Sequence, residues 1–268
     1  MKNYFIVAIS SVIILGCEAT AYKDFGRFDR SLNNKSYGYQ KVEDPIDSSN
    51  TELVEYFEVR DGDCASDSGW SDCANDRERS ELSQKTNRQV DGSEYWYAWE
   101  IYFPEDYPSV FPTKVALGQF HQVKAPPVFM FQNQSPPLND TWIPAKKGGY
   151  HLDRQVDGET VTVWELLSDE ELRGKWHRIE LHVKWAKNPS GFFKVWVNGK
   201  EKARFNGQTL FASKSYFKYG LYRTFVSKYK RVKKIDSLPT QSVYYRYVTR
   251  GLTKESVQPG YKELTSSN

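Results

Sequence analysis

The 268-residue chain has little net charge, few sulfur atoms and few histidines, and each shortage removes a class of function. Lysine and arginine number 37 against 34 aspartates and glutamates, so the formal charge is +3 and the whole surface is no polyanion trap of the nucleic-acid-binding kind. An anion would have to be bound locally, and no nucleic-acid partner is expected. Three cysteines (Cys17, Cys64, Cys73) and four histidines do not group in the sequence as a zinc site would require. No internal repeat is present, and no Glu-x-Asp-x-Glu strand offers the two carboxylates of a glycoside hydrolase. The apolar run from Tyr4 to Leu15, broken by two serines, is too short for a transmembrane helix.

That run, preceded by Lys2, reads as an export signal. Its end, Ile14-Leu15-Gly16-Cys17, resembles a bacterial lipobox, with leucine at the second position a mild departure. The resemblance implies that Cys17 is diacylated and becomes the new N-terminus; cleavage near Ala19 or Ala21 is the alternative. The expectation is an exported lipoprotein held to the outer or cell membrane by its lipid, at the surface or in the periplasm, or else a secreted protein. In such a compartment Cys64 and Cys73, eight residues apart in a Gly/Asp/Ser-rich stretch, read as a local disulfide. The same stretch carries Asp61, Asp63, Asp67, Asp72 and Asp76, which leaves a structural calcium open, although the spacing is not that of an EF-hand.

Aromatic residues make up 15% of the chain, with 18 Tyr and 8 Trp, and mean hydropathy is -0.69: a soluble protein rich in strand formers. Runs such as YWYAWEIYF, RIELHVKW, FKVWVNG and SVYYRYV alternate between apolar and polar residues and are separated by turn formers. In the second, Ile179, Leu181, Val183 and Trp185 point one way and Glu180, His182 and Lys184 the other. Asn198-Gly199 predicts a two-residue hairpin. Ser168 and Glu171 have capping-box spacing and predict a short helix over Ser168 to Arg173. The basic run Lys228 to Lys234 reads as a solvated strand edge or loop. The fold class expected is all-β: a two-sheet antiparallel sandwich of the concanavalin-like jelly-roll type with a concave groove, monomeric. Residues 1–17 form the signal, 18–50 a polar tether and first strand, 51–251 the domain and 252–268 a frayed polar tail.

Three strands carry candidate chemistry. In RERSELS, Arg77, Arg79, Glu81 and Ser83 share a face; in VALGQFHQ, Gln119 and His121 do; in YFKYGLYRT, Lys218, Gly220 and Tyr222 do, with Gly220 leaving room for a ligand. Brought into one sheet, these side chains suit β-elimination from a uronate. That reaction removes the C5 proton, neutralises the adjacent carboxylate and protonates the departing C4 oxygen. Arginine and glutamine donate to a carboxylate as charge builds; histidine and tyrosine carry protons.

The three strands are similar to those of the jelly-roll polysaccharide lyases, particularly the heparin lyase I and glucuronan lyase type, with motifs also found in alginate lyases. The resemblance spans about Asp61 to Gly251 and rests on RSEL at Arg79, QFH at Gln119 and YFKYGLY at Tyr216. It implies Tyr222 as proton donor and also a candidate base, and His121 as base for one C5 configuration. Arg79 and Gln119 would neutralise the carboxylate, and Lys218 would support it; Glu81, Arg77 and Arg223 are further candidates for substrate contact. No cofactor is required by this chemistry. Ser83 stands where the alginate enzymes usually carry a second arginine, which puts alginate in doubt as the polymer. His151, His177 and His182 lack such company and read as structural; Trp96, Trp142, Trp164 and Trp196 read as core or rim. The rival readings are a jelly-roll lectin, which needs no acid and base, and a glycoside hydrolase, which needs two carboxylates.

Overall fold

A computed structural model describes residues 24–133 and 148–260. The segment read as an export signal, with Cys17, and Trp142 lie outside the described residues. Fifteen strands account for about half of the described chain: β1 (Phe28–Arg30), β2 (Tyr39–Val42), β3 (Val54–Val59), β4 (Arg77–Gln84), β5 (Gln89–Val90), β6 (Glu94–Tyr102), β7 (Lys114–Gln122), β8 (Ala125–Asn133), β9 (Tyr150–Val156), β10 (Glu159–Leu167), β11 (Trp176–Lys184), β12 (Phe192–Val197), β13 (Lys200–Asn206), β14 (Lys214–Thr224) and β15 (Gln241–Gly251). One sheet has the order β1-β4-β14-β7-β8-β9-β10, with β5 also on β14; the other runs β13-β12-β11-β6-β15-β3-β2. Every ladder between these strands is antiparallel, and the two unclosed sheets pack as a jelly-roll sandwich.

Alternation decides what the sheets bury. Ile179, Leu181, Val183 and Trp185 are inaccessible to solvent, as their spacing predicts. Phe120 and Phe217 are register partners on β7 and β14, and both point inward. The Phe120 ring meets Tyr97, Trp185, Phe193 and Phe217 at centroid distances of 4.9–5.7 Å. These aromatic contacts fix the spacing between the sheets, and each ring contributes about 1.5–3 kcal/mol through burial. The outward face of the first sheet is thereby left to polar residues.

Local rules explain the turns and one error. Asn198 and Gly199 both have positive φ (50° and 78°), the conformation that joins β12 to β13 by two residues. The capping bonds expected at Ser168 form in both directions (Ser168 N to Glu171 Oε2, 3.2 Å; Glu171 N to Ser168 Oγ, 3.3 Å), yet no helix follows. The turn is cut short by Gly174 at φ 76°, where the Arg173 guanidinium folds back onto the Asp169 carboxylate and the Tyr107 carbonyl. The helix lies instead at α1 (Val226–Lys233), overlapping the basic run read as a solvated strand edge or loop, with Val226 and Tyr229 buried and Lys228 and Lys233 exposed.

Both terminal segments are part of the sandwich wherever they are described. Phe25 is buried against Tyr97 and Phe217, β1 pairs with β4, and β2 pairs with β3, so the stretch read as a tether is structured from Asp24 onward. In the stretch read as a frayed tail, Val257 is fully buried and Gln258 donates to Glu180 at 2.7 Å.

Candidate active site

The outward face of the first sheet carries a groove of about 730 Å³. Its floor comes from β4, β14 and β7, whose registers place side chains in cross-strand rows. Arg79, Tyr222 and Ala116 form one row and Ser83, Lys218 and Gln119 another, with the Glu81–Gly220 pair between them; Tyr216 and His121 pair beyond Lys218. The three motifs read from the sequence therefore meet on one face. Arg77, Arg79, Gln119, His121, Lys218 and Tyr222 all line the groove.

A bulge sets the aim of Tyr222. Four residue steps from Lys218 to Tyr222 on β14 oppose three from Gln119 to Ala116 on β7, and Gly220 at φ 126° absorbs the extra residue. A side chain at 220 would collide with the Ser80 carbonyl and the Phe57 ring of the opposite sheet. Gly220 thus makes room for a core ring, not for a ligand as its face in the sequence suggested.

Glu81 holds the centre together. It is almost fully buried, and its carboxylate accepts from Gln119 Nε2 at 2.6 Å, Lys218 Nζ at 2.6 Å and Arg79 Nη1 at 3.3 Å. Its predicted role as a substrate contact is corrected: with its oxygens occupied beneath the groove, it positions the donors. Arg79 is further gripped by Asp72 through Nε and Nη2, both at 2.5 Å. Asp72 also accepts from Trp70 Nε1 at 2.8 Å. The expected disulfide between Cys64 and Cys73 closes the loop that delivers this carboxylate.

Burial and charge tune the titrating groups. Burial works to lower the pKa of Arg79, but the Asp72 hydrogen bonds and the field of Glu81 raise it. Burial pulls Lys218 down, with Glu81 opposing. Tyr222 is pushed up by burial, while the Arg79 guanidinium, 4.2 Å from its ring centroid, acts the other way. His121 is lowered, first by burial and then by Lys218, against the pull of its bond to a backbone carbonyl. That bond joins Nδ1 to the Gln122 oxygen at 2.9 Å. A carbonyl only accepts, so Nδ1 carries the proton and Nε2 keeps its lone pair. The imidazole is stacked on Tyr216 at 5.2 Å.

Arg223, a predicted substrate contact, is corrected outright. It follows Tyr222 and so points into the sandwich, fully buried, bonding the Val59 and Pro239 carbonyls and facing Glu78 at 3.5 Å. The five loop aspartates do not converge: Asp61 pairs with Lys230, Asp63 with Tyr37, Asp67 caps its own turn, Asp72 takes Arg79 and Asp76 takes Ser227. Among the described residues no group of three metal-ligating side chains occurs. His151, His177 and His182 bond the Gly148 carbonyl, the Leu172 carbonyl and Glu94, respectively. Trp96 and Trp196 stack on the other sheet, away from the groove, and Trp164 packs against the core.

Sequence reading missed Asp72 as a partner and missed Lys114 altogether. Lys114 and Ala116 share the groove with Gln119 and His121 although their spacing is odd, because β7 carries a bulge against β8 between Ala116 and Gly118. Strict alternation puts them on opposite faces.

A jelly roll with buried guanidinium, amide and ammonium donors beside a phenol and a neutral imidazole is the scaffold of an enzyme acting on an anionic carbohydrate. The family is settled by comparison: the polysaccharide lyase model matches residues 22–248, and the chain belongs to that family. Among solved structures, the endo-β-1,4-glucuronan lyase of the fungus Trichoderma reesei aligns with 16% identity and a TM-score of 0.59, covering 88% of this chain and 99% of that one. The family 7 alginate lyase AlgAT5 aligns with 18% identity and a TM-score of 0.54, covering 84% and 94%. The alginate lyase vAL-1 from Chlorella virus aligns with 14% identity and a TM-score of 0.50, covering 84% and 92%. No curated protein matches the chain.

Proposed function

We propose that this lyase cleaves a uronic-acid-containing polysaccharide by β-elimination, with His121 as the base and Tyr222 as the acid. The observation that carries the reading is the pairing of a neutral imidazole, its Nε2 lone pair unused, with a phenol held in its protonated form in the same groove. The C5–H bond breaks and its proton passes to His121 Nε2. The electron pair forms the C4–C5 double bond, the C4–O bond breaks, and the Tyr222 hydroxyl protonates the departing oxygen. Arg79 beside the phenol favours the phenolate left behind. Gln119, Lys218 and Arg79 surround the place where the uronate carboxylate gains charge, and their donors are already fixed by Glu81 and Asp72. Because the Lys218–Gln119 row separates the rows of Tyr222 and His121, two groups on two sides of the bond suit this geometry better than one tyrosine acting twice.

The hydrolase reading loses support from the acidic side chains. Among the described residues lining the groove, Asp67 is the one carboxylate, and it is occupied as a turn cap. Glucuronan and alginate, the polymers named for the solved neighbours, head the substrate panel, with ulvan and heparin beside them. Ultraviolet absorbance of the unsaturated product should rise with one of these, and Tyr222→Phe should reduce that rate by about a hundredfold or more while binding persists. Binding with no rise for any polymer would favour the lectin. We propose further that Cys17 is lipidated and holds the enzyme at a membrane.

A further inference from the structure

The cations at the centre of the groove are already neutralised. Arg79 and Lys218 face Asp72 and Glu81, a local balance of two against two. Attraction for a polyanion must therefore come from elsewhere along the groove. One row beyond Arg79–Tyr222–Ala116, the same three strands bring together Arg77, Thr224 and Lys114 as register partners. All three line the groove, and the row lies about 7 Å past Tyr222, two residues of strand rise.

This row differs from the centre in one respect. Among the described residues no hydrogen bond or ion pair is made by the Arg77 side chain, and its Nη1 and the Thr224 hydroxyl are buried polar atoms without a hydrogen-bond partner. Such atoms are rare in folded proteins and ask for a reason. Above the row sits Phe225, part-exposed, with the Arg77 guanidinium 4.8 Å and the Lys228 ammonium 4.3 Å from its ring centroid. Phe225 is held in the left-handed region at φ 63°, ψ 46°, a conformation unfavourable for a bulky residue. Its backbone is pinned there by Phe225 N to the Asp76 carbonyl (3.0 Å) and by Thr113 Oγ1 to its own carbonyl (3.0 Å). The constrained backbone thus presents an aromatic ring, with two cations within 5 Å of its centroid, at the wall of the groove.

We propose that Arg77, Thr224 and Lys114, roofed by Phe225, form a second anionic-sugar subsite that binds the uronate next to the one being cleaved. The proposal rests on the lyase reading above and gives it the source of its polymer affinity. The carboxylate of the neighbouring uronate would take the free donors of Arg77 and Lys114, and the sugar ring would lie against Phe225. Burial lowers the pKa of Lys114, opposed by Asp153, so an arriving carboxylate would also favour the charged lysine.

The test uses the purified full chain and the polymer that it turns over. Arg77→Met and Lys114→Met should each raise KM by about tenfold, the scale of one charge-assisted contact, with a much smaller change in kcat. The double variant should also flatten the dependence of KM on salt. Arg77→Lys should recover part of the loss, which separates lost charge from lost packing. In a Tyr222→Phe background the same substitutions should weaken binding of the uronate polymer measured by calorimetry. An unchanged KM and salt dependence in a folded double variant, with active wild type, overturns the subsite alone. A folded wild type that neither cleaves nor binds any uronate polymer overturns the lyase reading, and the subsite with it.

Discussion

At the scale of single residues, the site is a problem of keeping charges in the right state. His121 can act as a base only when neutral, and burial, Lys218 and Arg79 all act to keep it so. The acid limb of the kcat/KM profile is therefore expected below the ordinary imidazole value of about 6.5. A limb at or above that value would remove His121 from the role. The same shift has a consequence for stability. Between the lowered native pKa and about 6.5 the unfolded chain binds more protons than the native one, so the contribution of His121 to stability is complete above that window and declines as the pH falls through it. Thermal unfolding of wild type and His121→Gln across the window checks the sign: wild type should lose more on acidification. Much of this residue-level arrangement was legible, since period two places Arg79, Gln119, His121, Lys218 and Tyr222 on one side of their strands. What was not legible follows from the same rule. Arg223 was named as a substrate contact in spite of its odd position, and Lys114 was hidden by a bulge that no residue type announces.

At the scale of elements, the disulfide loop is tied to function through Asp72. The closed loop is short, worth about 2–3 kcal/mol on a chain-entropy model, yet its product is a carboxylate placed on a buried guanidinium. Replacing both Cys64 and Cys73 by Ser should lower the melting temperature. It should also lower kcat/KM by about tenfold or more with the strand signal in circular dichroism unchanged, because a loosened Asp72 leaves Arg79 buried with only Glu81. Activity equal to wild type would mean that β4 alone holds Arg79. The strands themselves were readable, as was the Asn198-Gly199 hairpin, because each depends on local chemistry. The helix was not: α1 is eight residues long and buries only Val226 and Tyr229, so its apolar period is too brief to stand out from the lysines around it. The capping box at Ser168 was read correctly as chemistry and wrongly as a helix, since reciprocal caps satisfy a turn as well.

At the scale of the whole molecule, the two-sheet sandwich followed from the sequence because buried apolar residues alternate along the long strands, as in β6, β11, β12 and β14. The membrane setting proposed for it depends on a different segment. The stretch read as a polar tether and first strand is bound into the sandwich from Asp24, where Gly26 N and Asn87 Nδ2 both donate to the Asp24 carboxylate and Phe25 is buried. If Cys17 carries the lipid, as we propose, only seven residue steps separate it from Asp24, a reach of at most about 25 Å. The groove would then work close to the bilayer, on polymer strands that have reached the cell surface or periplasm rather than on those free in the medium. Expressed with its own signal in a bacterial host, the chain should partition into the detergent phase and sediment with membranes. Cys17→Ala should become soluble with kcat and KM for dissolved polymer unchanged, because the groove is built from β4, β7 and β14. Equal solubility of the two forms would show that Cys17 is removed with the signal, and would place the enzyme among freely secreted proteins.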